Sequence, residues 1–336
     1  MLLLSLTLFL VPPLHAQWTA PEFPDPVWAE PEPQKTVKPL FQECTLLFVG
    51  DLMQHREQIT RARQPDDTFV YEECFAEVKP YIEAADFAIG NLETTLGGKP
   101  YRGYPCFSAP DAWLETLKAV GFDIVTTSNN HCLDRGQYGL ERTLMMADSL
   151  DMLTLGTYRD ADDRAARYPL VVEKNGIRIA FLSYTYGING FTVSEPNIVN
   201  TIDTVMMKED LRQAYSRHPD VVIALMHWGT EYRLKPDSYQ QFYARWLLNH
   251  GVDHIIGGHP HVIVPTERRP YSNRPDNHLI VWSQGNFISG MSAPHTFDGT
   301  MLTITLRKCG FVTRIVKDEC HTVRTLRPDY RLKIID

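Results

Sequence analysis

Short apolar runs, each closed by a glycine or a polar residue, set the rhythm of this chain. Residues 44–49 (CTLLFV), 87–89, 122–127, 177–184, 221–226, 254–256 and 279–283 are such runs, and 153–155, 170–172 and 263–264 are briefer ones. Runs of this length, rich in β-branched residues, predict strands buried on both faces. Between them, helical spacing of apolar positions predicts helices over 51–63, 72–84, 110–119, 136–149, 205–215 and 239–249. Pro110 suits a first helical turn, and Gly251 suits the place just past a helix end. Asn175 and Gly176 predict a tight type I′ hairpin turn. From 299 to 335 the pattern gives short strands and no helix. Strand and helix alternate through the body, which predicts a layered α/β fold. The expected organisation is a catalytic domain over 43–295 and a β-rich extension over 296–336 packed on the same domain.

The first 42 residues follow a different pattern. Residues 1–20 open with a nearly continuous apolar stretch, broken by Pro12 and Pro13 and followed by the small Ala16. This predicts an export signal, too short for an ordinary membrane span. Six prolines fall between 21 and 40, so 21–42 is expected to be an extended linker. Composition adds only bounds. With 336 residues, 43% hydrophobic and 22% charged, the chain is ordinary for a globular protein. A net charge of −8 without a long Lys/Arg cluster argues against nucleic acid as a partner. An anionic substrate stays open, because a bound cation inverts the local field. Six cysteines allow 15 pairings. Cys309 and Cys320 flank two strand-like runs and are expected to close a ribbon.

The candidate chemistry sits just after the apolar runs. Asp51 follows Gly50; Asn91 and Glu93 follow Gly90; Asn130, His131 and Asp134 follow the 122–127 run; His227 follows 221–226. His259 and His261 follow Gly258, and Asn286 follows Gly285. In open α/β sheets, ligands bind beyond the carboxyl ends of strands, so these turns are expected to converge on one crevice. Carboxylates, amide oxygens and imidazoles together suit manganese, iron or zinc. Two such ions about 4 Å apart, sharing Glu93 or Asn91, would activate a water. Side chains two apart on an extended segment share a side, which predicts that His259 and His261 act together. His131 is the expected proton donor, its tautomer held by Asp134. His55, Trp228, Glu231 and Asn286 are expected near the substrate or behind the ligands. Cys132, beside His131, reads as packing rather than as a nucleophile.

The ordered series GDLM, GNLE, NNHCLD, HWGTEY, GGHPH and SQGNF resembles the CapA family of bacterial capsule synthesis or poly-gamma-glutamate biosynthesis proteins, over 46–287. That family is related to the calcineurin-like metallophosphoesterases. The resemblance implies a four-layer α/β/β/α sandwich with a two-metal site. It implies that Asp51 is the first metal carboxylate and that Asn91 stands where a bridging Asp would be. It further implies that Asn130, His227, His259 and His261 are metal ligands and that His131 is the proton donor. Two positions depart from the phosphoesterase pattern. Met53 replaces a histidine, and Asn91 is uncharged, so Glu93 has to supply the bridging anion. The resemblance also implies an envelope location and an anionic envelope polymer or its precursor as partner, beside membrane-bound capsule machinery.

Overall fold

A computed structural model describes residues 41–271 and 276–335. The leader expected over 1–20, and all of the expected linker except Phe41 and Gln42, lie outside the described residues. The chain begins with β1 (Gln42–Leu52), α1 (Arg56–Ala62), a 3-10 turn (Glu72–Phe75), α2 (Lys79–Glu83), β2 (Phe87–Leu92), α3 (Asp111–Ala119) and β3 (Ile124–Thr126). It continues through α4 (Gly136–Ser149), β4 (Leu153–Leu155), β5 (Thr157–Tyr158), α5 (Ala161–Arg167), β6 (Leu170–Lys174), β7 (Ile177–Thr185) and β8 (Ile198–Val199). Next come α6 (Thr204–Ser216), β9 (Val221–His227), α7 (Ser238–Asn249), β10 (His254–Gly258), β11 (Ile263–Val264), β12 (Glu267–Pro270) and β13 (Asn277–Val281). It ends with β14 (Ser283–Gln284), β15 (Asn286–Ile288), β16 (Asp298–Cys309), β17 (Val312–Leu326) and β18 (Arg331–Ile334).

Two mixed sheets stack face to face. The first runs β18-β17-β16-β1-β2-β3-β4, with β15 also paired to β1; the second runs β12-β13-β10-β9-β7-β6. Strand β1 shows why both faces of an apolar run are needed. Leu46 and Phe48 point into the core between the sheets, where Phe48 meets Phe181 edge-on at 6.4 Å. Leu47 and Val49 point the other way, into a core shared with Trp113, Leu114 and Leu117 of α3. On the far side of the second sheet, Met207 and Leu211 of α6 and Leu247 of α7 are buried against it. The result is the expected four-layer α/β/β/α sandwich. Each fully buried Leu or Phe stabilises it by about 1.5–3 kcal/mol.

The carboxyl-terminal strands join the first sheet: β16 pairs antiparallel with β1 from Gln42↔Lys308 to Val49↔Met301. The ribbon expected to be closed by Cys309 and Cys320 is β16–β17. Its register sets Cys309 opposite Val312 and Cys320 opposite Leu302, so the two cysteines do not meet. The Asn175-Gly176 turn has φ of 52° and 78°, as a type I′ turn requires. Two expected elements differ. The 72–84 segment is a 3-10 turn and a short helix rather than one helix, because Pro80 lacks an N–H and its ring clashes with the preceding turn. The start of the 51–63 helix is instead the end of β1, and α1 begins at Arg56.

Candidate metal centre

The strand ends of both sheets meet at one point. In the first sheet, parallel pairing sets Asp51 level with Asn91 on β2 and with Asn286 on β15. In the second, His227 lies level with Gly258, so His259 begins where His227 ends. Glycine permits this closeness. A Cβ on Gly50 would stand 1.9 Å from the Gly285 carbonyl oxygen, and one on Gly258 would stand 3.0 Å from Asp51 Oδ1. His259 and His261 reach the centre by a route other than the one expected. The segment is not extended: both have positive φ, 96° and 57°, so two left-handed residues around Pro260 turn both rings inward. Left-handed backbone is uncommon at residues with a Cβ and tends to occur at functional sites.

The ligand-type side chains are buried together. Asp51, Glu93, His227, His259 and His261 are all 4% exposed or less. Glu93, His227 and His259 present ligand atoms within 4.8 Å of one another, and so do Asp51, Glu93 and His261. Glu231, exposed at the rim, forms a similar group with His259 and His261. Asn130 Oδ1 lies 2.8 Å from His227 Nε2, which adds an amide oxygen to the first group. Glu93 Oε1, Asp51 Oδ2 and His259 Nδ1 are buried without a hydrogen-bond partner. Asp51 Oδ2 is 3.2 Å from His261 Nδ1, close enough for an ion pair but not aligned for a hydrogen bond. Buried carboxylate oxygens and a ring nitrogen left bare cost stability unless something meets them. A divalent cation matches this donor set of carboxylate, imidazole and amide oxygen.

The electrostatics agree with a site that is incomplete without positive charge. Burial, and then repulsion from Asp51, push the Glu93 carboxyl well above its ordinary value. Burial drives His227 down to about 3 and His259 well below the imidazole range, so both rings are neutral and able to ligate. At His261 burial works downward, but contact with the Asp51 carboxylate outweighs it and raises the ring above its ordinary value. At Asp51 burial works upward, and His261 overcomes it.

Asn91 is at the centre, but not as an oxygen ligand. Its Nδ2 donates to Asp51 Oδ1 at 2.8 Å and to Glu93 Oε2 at 3.1 Å, and lies 3.2 Å from His227 Nδ1. Its Oδ1 accepts from the Thr126 hydroxyl and from Asn129 Nδ2. Asn129 cannot be turned round, because its Nδ2 also donates to the Leu92 carbonyl and its Oδ1 accepts from the His131 N–H. The amide of Asn91 therefore aims nitrogen at the ligands, where it acts as a donor tying them together. Met53 is buried in the core, with the Ser289 hydroxyl 3.6 Å from its sulfur.

His131 stands beside this group with its own support. Its Nδ1 is 2.8 Å from Asp134 Oδ2, which also accepts from the Phe107 backbone N–H at 2.6 Å. The Phe107 ring meets the imidazole edge-on at 4.7 Å, and the exposed Tyr104 lies 6.5 Å away. Asn286 is a positioning residue: its Oδ1 accepts from His261 Nδ1 at 3.0 Å, and its Nδ2 donates to the Thr296 carbonyl. His55 packs behind Phe107, the residue that meets His131. It caps α1 and accepts the Gly290 N–H on Nδ1, and burial lowers it to about 4. Trp228 is fully buried, stacks on Trp282 and donates to its carbonyl, which removes it from the substrate-facing set.

Two contributors, Tyr186 and Phe107, lie outside the residues the sequence singles out. Tyr186 lies over His259 with ring centroids 4.3 Å apart; it directly follows β7, whose last residue is level with His227, so the strand-end rule would have found it. Phe107 lies in an irregular loop and carries no signal in the pattern.

The comparisons with known proteins agree with this geometry. Bacterial capsule synthesis protein PGA_cap, as a family, matches residues 45–291. The PGA biosynthesis protein CapA of Bacillus subtilis (strain 168) is 28% identical over 277 residues, covering 78% of this chain and 68% of its own length. The capsule biosynthesis protein CapA of Bacillus anthracis is 24% identical over 280 residues, covering 80% of this chain and 65% of its own, so this chain spans about two thirds of these relatives. Among solved structures, a phosphatase from Mycoplasma pneumoniae superposes with a TM-score of 0.52 at 16% identity, over 86% of this chain and 96% of that one. The chain shares the fold of that phosphatase, and it carries a buried cluster able to hold divalent metal. With its family's motifs spanning most of the chain on that fold, the protein belongs to the CapA (PGA_cap) family of bacterial capsule synthesis proteins.

Proposed function

We propose that this protein is an exported, envelope-associated hydrolase or transferase that uses two divalent ions to act on a phosphoester or acyl group of an anionic envelope polymer. The observation that carries the reading is the pair of ligand groups sharing Glu93. Asp51, His261 and Glu93 would hold one ion; Glu93, His227, His259 and Asn130 would hold the other. Manganese, iron or zinc suits this set. Such ions supply Lewis-acid activation of water and of the scissile group. The chain's own residues do the rest. Asp134 accepts the hydrogen bond from His131 Nδ1–H; with a second proton on Nε2 the ring would give that proton to a leaving group and return to the neutral Nδ1–H form. Phe107 shields that imidazole from solvent on one side, and Asn91 and Asn286 fix the ligands from behind.

The family's association with capsule and poly-gamma-glutamate systems supports an anionic polymer, or its precursor, as the substrate, with membrane-bound capsule machinery as a partner. A second reading, polymer handling without turnover, is favoured by Met53 in place of a ligand and by the amide nitrogen of Asn91. Metal analysis of protein purified without chelator, with a phosphoester and acyl-ester panel, separates the two. The first reading expects bound metal in the intact chain and less of it in His259→Ala. It expects His131→Ala to retain metal but lose about 10²-fold or more in turnover. A metal-free protein, or equal turnover in His131→Ala, defeats it.

A further inference from the structure

The loop joining β2 to α3 has a second side. It closes a cleft of about 750 Å³ whose lining includes neither His131 nor any of the candidate metal ligands. Arg56, Arg63, Lys99 and Arg102 line it, against the single lining carboxylate of Asp67. Arg63 and Lys99 share that carboxylate, at 2.5 and 3.0 Å. Asp66, next in the chain, is engaged by the Thr68 hydroxyl at 2.7 Å. Among the described residues, no carboxylate lies within ion-pair distance of the Arg56 or Arg102 guanidinium. In a chain of net charge −8, four lining cations against one lining carboxylate are a local excess of positive charge among the described residues.

The excess is held in place by the backbone. A Cβ on Gly103 would stand 2.4 Å from the Arg56 backbone nitrogen, so the loop presses on the start of α1 and brings Arg102 beside Arg56. The apolar wall is built: Phe69 and Tyr101 meet edge-on at 5.3 Å over the buried Ile59. The cleft is also close to the metal centre. Tyr104, two residues and so at most about 7 Å of chain from Arg102, presents its ring 6.5 Å from that of His131.

We propose that this cleft is a second anion subsite, binding a carboxylate- or phosphate-bearing segment of an extended polyanion while another segment of the same polymer reaches His131 and the ligand cluster. The inference rests on the polymer reading above for what lies at the metal centre, but its test reads binding rather than turnover. Four cations in a walled cleft recognise repeated negative charge with a strong dependence on salt.

The probes are labelled long poly-glutamate and labelled long polyphosphate, each beside its own trimer, titrated into the full chain at several salt concentrations. The double variant Arg56→Glu/Arg102→Glu is expected to weaken the long polymer roughly tenfold or more and to flatten its salt dependence. The trimers, too short to span both places, are expected to lose their preference for the cleft less steeply. Arg212→Glu/Lys317→Glu, the same charge change outside the cleft, is expected to leave long-polymer affinity near that of the unaltered chain. Retained metal content and circular dichroism show that the variants fold. Loss for poly-glutamate alone assigns carboxylate as the ligand, loss for polyphosphate alone assigns phosphate, and either supports the subsite. Absence of binding by the unaltered chain, equal affinity in the cleft variant, or equal loss in the outside variant overturns it. An unaltered chain that binds polyanion through the cleft but hydrolyses nothing would remove the hydrolase reading and leave the subsite standing.

Discussion

Asn91 shows how much one side chain decides at the centre. Its NH2 sits among three acceptors, the Asp51 and Glu93 carboxylates and His227 Nδ1, and draws them to within 3.2 Å. Replacing it by aspartate keeps the size and removes both donated protons. Three carboxylates would then face one another in a buried site, where like charges repel strongly. The expected outcome for Asn91→Asp is a metal-free protein destabilised by about 2–4 kcal/mol, with tighter metal binding than in the parent. Denaturant melts with and without added manganese or zinc measure both; an unchanged metal-free midpoint would refute the donor role. The residue scale also shows where sequence reading stops. Asp51, Glu93, Asn130, His131 and the two histidines around Pro260 could be named because glycine and polar types recur at run ends. Which end of the Asn91 amide faces the ligands could not, since it depends on Thr126 and Asn129 reaching it from β3 and the turn beyond.

At the scale of elements, the close approach of β1 to the turn before β15 leaves no room at Gly50. A methyl there would overlap the Gly285 carbonyl oxygen at 1.9 Å, with backbone on both sides and no flexible side chain to yield. Gly50→Ala is expected to cost more than about 3 kcal/mol and to lower metal affinity with it, because Asp51 is the next residue. Urea denaturation checks the first and metal titration the second; near-parental values for both would mean that the strand ends are looser than described. Elements with an apolar stripe were legible: the span expected for α4, 136–149, coincides with the observed helix, and the β7 and β9 runs differ from it by one residue each. Helix α5 was not legible because it has no stripe, being ADDRAAR without a buried residue. It is held instead by the Asp160 cap on the Asp163 N–H and by Arg164 reaching Asp210 at 2.8 Å. Periodicity cannot detect a helix stabilised by polar contacts alone.

On the scale of the whole molecule, the ligands come from both sheets, Asp51 and Glu93 from one, His227 and the His259/His261 pair from the other. A cation bound to them ties the sandwich together, and its binding energy adds to folding stability. At a free metal concentration of 100 times Kd the gain is about 2.7 kcal/mol. For a domain of this size that corresponds to a rise in Tm of roughly 4 °C. Calorimetry before and after chelation checks this; an unchanged Tm would show that no ion bridges the sheets. Burial also determines thiol behaviour across the molecule. Cys44 and Cys132 are pushed up to about 12 by burial and Cys74 to about 11, whereas Cys309 is exposed near the ribbon tip. At pH 8, iodoacetamide is expected to label Cys309 readily and the other three only on unfolding, by mass spectrometry of digests.

The pairing of β1 with β16 has a further bearing on how this protein comes into being. A polypeptide released amino end first presents β1 with one flank bare until residues 298–309 have been made. The β1–β16 seam therefore cannot close before most of the chain exists, and contacts so distant in sequence form slowly. Until then β1 has β2 to pair with on its other flank, so the refolding rate of this sheet is set by a loop closure that spans most of the chain.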